Sequence, residues 1–377
     1  MIESKLKKFI PVNTPALGGN EKKYLQECID TGWVSSEGPF VKEFEEKFAE
    51  IVGRKHAISV ANGSAALEIA ISILDLQKGD EVILPTFTII SCVAPLIRIG
   101  AVPVFTDVDP LTWNMNVDQI EDNITPRTKA IMAVHIYGMP VDMDPLIRIA
   151  EKYGFKVIED AAEAHGLCYK GRVCGSFGDI STFSFYPNKL ITTGEGGMLV
   201  TDDDVIAEKC RSFRNLCFQP NKRFIHEELG WNFRMTNIQA AIGLAQCEQL
   251  GKFVIKKKLM GKKYTKLLGD LKNIQLPLER TNFADNIYWV FGLVLDDEFH
   301  DNAEKFMGKL RKFGIGTRPF FWPMHEQPFL KKYNIGIDKS FPVAERIARR
   351  GFYIPSGLAL EDSEIEYVSE VIQSLLI

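Results

Sequence analysis

The sequence lacks a Cys-x-x-Cys pair, an apolar stretch of bilayer length and any excess of basic charge, and each absence closes off a class of protein. Seven cysteines, an odd number without paired spacing, do not make a disulfide framework. They suit a reducing compartment, where thiols serve as small apolar or surface residues. The longest apolar runs are cut by Pro95, Arg98 and Pro103, whereas a bilayer span needs about 20 consecutive apolar residues. Residues 1–8 are charged and lack the apolar centre of a signal peptide. A cytoplasmic protein with no membrane partner is expected. The 45 Lys and Arg against 49 Asp and Glu give a formal net charge of −4. A nucleic-acid binder held by phosphate contacts carries a basic excess or stripe instead. One lysine cluster, Lys256, Lys257, Lys258, Lys262 and Lys263, reads as a solvated helix face.

What is present is a chain of 377 residues, 46% hydrophobic and 25% charged, long enough for a large domain and a smaller one with separate cores. Short apolar runs at 56–61, 81–85, 101–107, 129–137, 156–160, 180–185 and 198–201 read as strands. Several are apolar almost throughout, as expected of strands covered on both faces. Amphipathic stretches lie between them, one marked by Val41, Phe44, Phe48 and Ile51, another by Ala66, Ile69, Ala70 and Leu74. This alternation predicts an α/β fold over residues 1–250: a three-layer α/β/α domain around a mainly parallel mixed sheet. After that the pattern changes to helices at 252–268, 303–313 and 365–376 and strands at 288–295 and 316–321. A small α+β domain over 251–377 follows from it.

In open α/β sheets, ligands bind beyond the carboxyl ends of the strands. The first strand is followed by Asn62-Gly63-Ser64-Ala65-Ala66, a small-residue turn that can aim N–H groups and a hydroxyl at a phosphate; a simple cap explains it as well. The fifth ends in Glu159-Asp160 before Ala161-Ala162-Glu163-Ala164-His165-Gly166. Alone, Asp160 reads as a cap for a following helix. Buried at a strand end, it needs a cationic or hydrogen-bonding partner. The sixth ends in Phe185-Tyr186-Pro187-Asn188-Lys189, just before the glycine-rich Gly194-Glu195-Gly196-Gly197. A loop lysine by itself is ordinarily solvated. An anion cradle, a strand-end Asp and a strand-end Lys together meet the needs of pyridoxal 5'-phosphate: a phosphate site, a pyridinium partner and an amine for a Schiff base.

With these in view, further segments fall into place: Thr31-Gly32-Trp33-Val34-Ser35-Ser36-Glu37-Gly38, Gly230-Trp231-Asn232-Phe233-Arg234-Met235-Thr236-Asn237 and Arg318-Pro319-Phe320-Phe321-Trp322-Pro323-Met324-His325. In this order they resemble the sugar aminotransferases of the DegT/DnrJ/EryC1/StrS family over nearly the whole chain. The resemblance implies the type I aminotransferase fold, with Lys189 carrying the cofactor as a Schiff base. It implies that Asp160 pairs with the pyridine nitrogen and that Glu163 lies near the ring hydroxyl. Gly63, Ser64, the backbone of Ala65 and Ser184 would hold the phosphate. Asn232 would reach the cofactor phosphate of a neighbouring subunit, which implies a homodimer with shared active sites. The implied substrates are a nucleotide-linked 4-keto-6-deoxy sugar, with the GDP-linked sugar preferred over dTDP- or UDP-linked or 3-keto alternatives, and L-glutamate as amino donor. A non-catalytic relative keeping only the fold is the other reading.

Trp33, Ser35, Tyr186, Arg318 and His325 are candidates for the substrate, because Arg suits a diphosphate and aromatic side chains cover a sugar or base. Packing explains Trp33 as readily, and a structural hydrogen bond His325. Ile89 stands where the family often has an aromatic residue on the cofactor ring, and Phe87, two residues away on the same expected strand face, is the alternative cover. Pro187 fixes φ just before Asn188 and Lys189. Glu163 stands where many relatives have Gln. A branch that removes a hydroxyl from such sugars has His in place of the lysine, so Lys189 favours amino transfer.

Overall fold

Runs such as Val82-Ile83-Leu84 and Ile131-Met132-Ala133 offer no polar face to water, so they are stable as strands only where both sides of a sheet are covered. The computed structural model, which describes residues 9–219, 221–336 and 338–376, provides that setting. The expectation for residues 1–8 lies outside the described residues. The strands are β1 (His56–Val60), β2 (Glu81–Pro85), β3 (Val102–Thr106), β4 (Thr128–Val134), β5 (Lys156–Asp160), a hairpin of β6 (Cys168–Tyr169) and β7 (Arg172–Val173), β8 (Ile180–Ser184) and β9 (Gly197–Thr201). All but the hairpin form one sheet in the order β1-β9-β8-β5-β4-β2-β3. β9 alone runs opposite to the other six strands of this sheet.

Successive side chains of β5 enter opposite cores, as the two-residue period requires. Val157 joins Phe44, Phe48 and Phe183 beneath the helices Pro39–Val52 and Asn237–Cys247. Ile158 joins Ile58, Leu84 and Leu199 beneath Gly63–Ser72 and Asp204–Arg214. These are the three layers that the sequence predicts. The expected strand at 129–137 stops at Val134, because the chain turns there and Tyr137 takes a φ of 56°, outside the strand region. Its neighbour Gly138 has a φ of 96°, and a Cβ there would meet Trp289 N at 2.5 Å.

A second sheet of β10 (Ile274–Gln275), β11 (Phe291–Leu295), β12 (Arg318–Pro319) and β13 (Gly351–Ile354) is antiparallel throughout, in the order β10-β11-β13-β12. Of the strand expected at 316–321 only Arg318 and Pro319 pair. The helices Leu250–Leu268 and Asp362–Leu376 close a third core around Tyr264, Phe291 and Val368. The lysine-rich helix face is solvated at Lys256 and Lys262, but Lys257 is buried. A helix turns about 100° per residue, so three successive lysines cannot share one face. Among the described residues no helix is long and apolar enough to cross a membrane.

Candidate active site

The ends of β1, β2, β4, β5 and β8 converge on a cavity of about 530 Å³, lined by Gly63, Ser64, Ile89, Asp160, Glu163, Ser184, Tyr186 and Lys189 among others. Sequence reasoning nominated all eight. One end of the cavity is the first turn of the helix Gly63–Ser72. Asn62, in extended conformation, accepts the Ala65 N–H at 2.8 Å. The Ala65 N–H, expected to serve the phosphate, is engaged by this cap. The N–H groups of Gly63 and Ser64 precede the helical ladder and carry no partner among the described residues. Ser64 Oγ lies 2.7 Å from Ser91 Oγ. A Cβ on Gly63 would come within 2.7 Å of Ser184 Cβ, so glycine is what lets the helix start beside the Ser184 hydroxyl. Two free N–H groups, a helix N-terminus and three hydroxyls form an anion cradle.

The other carboxyl-end groups carry charge. Asp160 is 3% exposed; its Oδ1 accepts the Ala162 N–H at 3.1 Å and its Oδ2 the Cys92 thiol at 3.1 Å. Residues 161–166 form turns, so Asp160 caps no helix, which corrects that expectation. No cationic side chain of the described residues pairs with it, so the carboxylate keeps capacity for a cation entering the cavity. Glu163 Oε2 accepts the Tyr137 N–H at 2.8 Å, and Oε1 lies 3.6 Å from Lys189 Nζ. Burial pushes its carboxyl up to about 7, with the Lys189 charge opposing. Near neutral pH Glu163 is therefore partly protonated, and in that form offers a donor.

Lys189 is held in a loop fastened from two sides. Trp289 lays its ring 4.2 Å from Lys189 Nζ and donates its indole N–H to Asn188 O at 2.9 Å. Asn13 donates to Pro187 O at 2.9 Å, so Pro187 is anchored through its carbonyl as well as stiff in φ. Thr182 Oγ1 and Asn188 Oδ1, both on residues lining the cavity, are buried without a hydrogen-bond partner. Buried orphans of this kind mark a space built for a polar occupant. Anion cradle, unpaired carboxylate, lysine and orphan hydroxyl fit pyridoxal phosphate.

Ile89, 45% exposed, forms part of the cavity wall, whereas Phe87 is fully buried against Tyr137, Phe320 and Phe321. The common strand face expected for the pair does not exist, because β2 ends at Pro85. His325 is turned away: Nδ1 lies 2.8 Å from Thr86 Oγ1 and Nε2 3.2 Å from Glu345. Both ring nitrogens are engaged, as the structural hydrogen bond weighed for this residue requires. Trp33 and Ser35 lie outside the cavity on an exposed segment whose carbonyls are held by Asn237, at 2.7 and 2.9 Å. Asn232 is exposed and outside it too. Arg318 sits on the rim strand β12, paired in register with Tyr353, which lines the cavity. Sequence reasoning missed Trp289, Tyr353, Phe321, Ser91 and Cys92. Phe321 lies within the Arg318–His325 motif, which singled out other members, and no short motif marks the remaining four; Trp289 and Tyr353 belong to the second sheet region and reach the cavity only through the tertiary fold.

A profile of the DegT/DnrJ/EryC1/StrS aminotransferase family matches residues 15–373. The chain is 41% identical over 366 residues to GDP-perosamine synthase of Escherichia coli O157:H7, covering 97% of this chain and 98% of that one. It is 40% identical to GDP-perosamine synthase of Vibrio cholerae, covering 97% and 99%. Among solved structures, DesI determined in the presence of its TDP-sugar product superposes with a TM-score of 0.90 at 30% identity, over 98% of this chain and 94% of that one. The fold is that of the type I aminotransferases.

Proposed function

We propose that this chain, which belongs to the DegT/DnrJ/EryC1/StrS aminotransferase family, moves an amino group from L-glutamate to C4 of GDP-4-keto-6-deoxymannose to give GDP-perosamine. Its class is a pyridoxal phosphate-dependent sugar aminotransferase. The finer reading is supported by two relatives near 40% identity, both named GDP-perosamine synthase and both matched almost end to end. The observation that carries amino transfer is the Lys189 amine at the cavity wall, between Glu163 and Trp289.

When bound, the cofactor supplies an aldehyde for amine exchange and a ring that accepts electrons from the substrate carbon. Lys189 would hold it covalently, and its amine, once free, is the base within reach for moving a proton at that carbon. Glu163, 3.6 Å away, would help to orient that amine. Trp289 covers the amine against water. Gly63, Ser64 and Ser184 would hold the phosphate, and the charge of Asp160 would favour a protonated ring nitrogen. Ile89 would cover the ring with an aliphatic face. Asn232 and the Trp33–Ser35 segment, exposed on one chain, suit contact with a neighbouring copy, in keeping with a homodimer of shared sites. Arg318 at the rim suits a diphosphate. This reading divides the chain into a cofactor domain over 1–250 and a small domain over 251–377, and the seven free cysteines fit a cytoplasmic enzyme.

A second reading, a TDP-linked substrate, is favoured by the likeness to DesI. Assaying amino transfer from L-glutamate to GDP-, TDP- and UDP-linked 4-keto-6-deoxy sugars decides between them. Turnover of the GDP sugar well above the others is expected. Preference for TDP or UDP overturns the nucleotide assignment, and no turnover of any of them overturns the substrate class.

A further inference from the structure

The helix Leu250–Leu268 hides a residue that the chemistry above leaves unused. Lys257 is 3% exposed and pairs with no carboxylate among the described residues. Its Nζ donates instead to two backbone carbonyls, Trp289 O at 2.8 Å and Ser356 O. Burial without a counter-charge pushes this ammonium down to about 7. An apolar side chain of similar length would fill the space without that cost, but it would leave two buried carbonyls unpaired.

The two carbonyls lead to the Lys189 loop by separate routes. Trp289 sets its ring over Lys189 Nζ and its indole N–H on Asn188 O. Ser356 donates its N–H to Val12 O at 2.9 Å, and the next residue, Asn13, donates to Pro187 O at 2.9 Å. Lys257 thus closes a circuit in which Pro187, Asn188 and Lys189 are each held, and a small cavity among Asn13, Lys189, Lys257, Trp289 and Ser356 lies at its centre. An ammonium suits that place because its donors can serve carbonyls splayed in different directions.

We propose that Lys257 is a positioning residue for Lys189: it ties the backbones of Trp289 and Ser356 to the long helix, so that the loop presents the Lys189 amine to the cavity. Lys257 acts through those residues and does not line the main cavity. The inference rests on Lys189 being the cofactor-bearing lysine.

The test uses holoenzyme of wild type, Lys257→Met, Lys257→Arg, Asn13→Ala and Lys189→Ala. Three quantities are read: the pH midpoint of the visible absorbance of the lysine-bound cofactor, kcat with KM for the sugar nucleotide, and the melting temperature. Lys257→Met is expected to move the midpoint by roughly half a unit or more, because the amine's surroundings change. It is expected to lower kcat by ~10- to 100-fold, the scale of a positional error on the order of 1 Å. KM should change by less than about threefold, and Lys257→Arg should bring kcat back to within about threefold of wild type. A Lys257→Met enzyme with wild-type midpoint and kcat but a lower melting temperature overturns the proposal. Should Lys257→Met not fold, Asn13→Ala decides, since it cuts the other arm of the circuit at Pro187: a moved midpoint supports the proposal and an unmoved one overturns it. If Lys189→Ala keeps the visible band, the reading of Lys189 fails. If it loses the band while the other variants leave the midpoint in place, only the role of Lys257 fails.

Discussion

Glu163 ties the stability of the cofactor-free protein to pH, and replacing it with Gln isolates that dependence. The residue is 6% exposed, and its side chain accepts the Tyr137 N–H at 2.8 Å and lies 3.6 Å from the Lys189 amine. Burial pushes its carboxyl up from the ordinary 4.5 to about 7. Between those values the folded protein binds more protons at this site than the unfolded chain does. The stabilisation is therefore fully present below about pH 4.5 and is lost as pH rises through about 7. At 1.36 kcal/mol per unit the whole shift is worth roughly 3 kcal/mol. Gln keeps an acceptor for Tyr137 and cannot ionise. Its advantage over wild type should therefore grow by about 2–3 kcal/mol between about pH 5 and about pH 8. Urea unfolding of the two cofactor-free proteins across that range measures it. A difference that stays constant with pH would refute the buried, raised carboxyl.

Two further substitutions probe the ends of the cavity. Gly63→Ala places a methyl 2.7 Å from Ser184 Cβ, an overpacking expected to cost about 1–3 kcal/mol; equilibrium dialysis should show cofactor retention weakened by about tenfold or more, and unchanged retention would mean that this close approach does not shape the cradle. Asp160→Asn removes the charge while keeping an acceptor for Ala162. It is expected to weaken cofactor retention and slow both half-reactions in single-turnover measurements, and unchanged kinetics would reduce Asp160 to holding its turn.

Much of the large sheet was legible because its strands are runs with no polar face, and the carboxyl ends of those runs carry Asn62–Ser64, Asp160, Ser184 and Lys189. The errors have local causes. The run at 129–137 stays apolar past the strand end, but Tyr137 and Gly138 turn the chain at positive φ so that β4 stops at Val134. Phe87 and Ile89 look like alternate members of one strand, yet Pro85 closes the strand and sends Phe87 into an aromatic cluster. Lys257 was hidden among lysines that do face water, since composition does not tell one helix face from another when both carry the same residue. Trp289 and Tyr353 were beyond reach for a different reason. They lie about 100 residues or more past Lys189 in the chain, and only the docking of the second sheet region against the first brings them to it.

Reducing the holoenzyme with borohydride, digesting it and locating the cofactor-bearing peptide by mass spectrometry tests most directly whether Lys189 carries the cofactor. The expected result is a single labelled site at Lys189, absent from Lys189→Ala. A label on Lys257 or on any other lysine, with Lys189 unmodified, would contradict it.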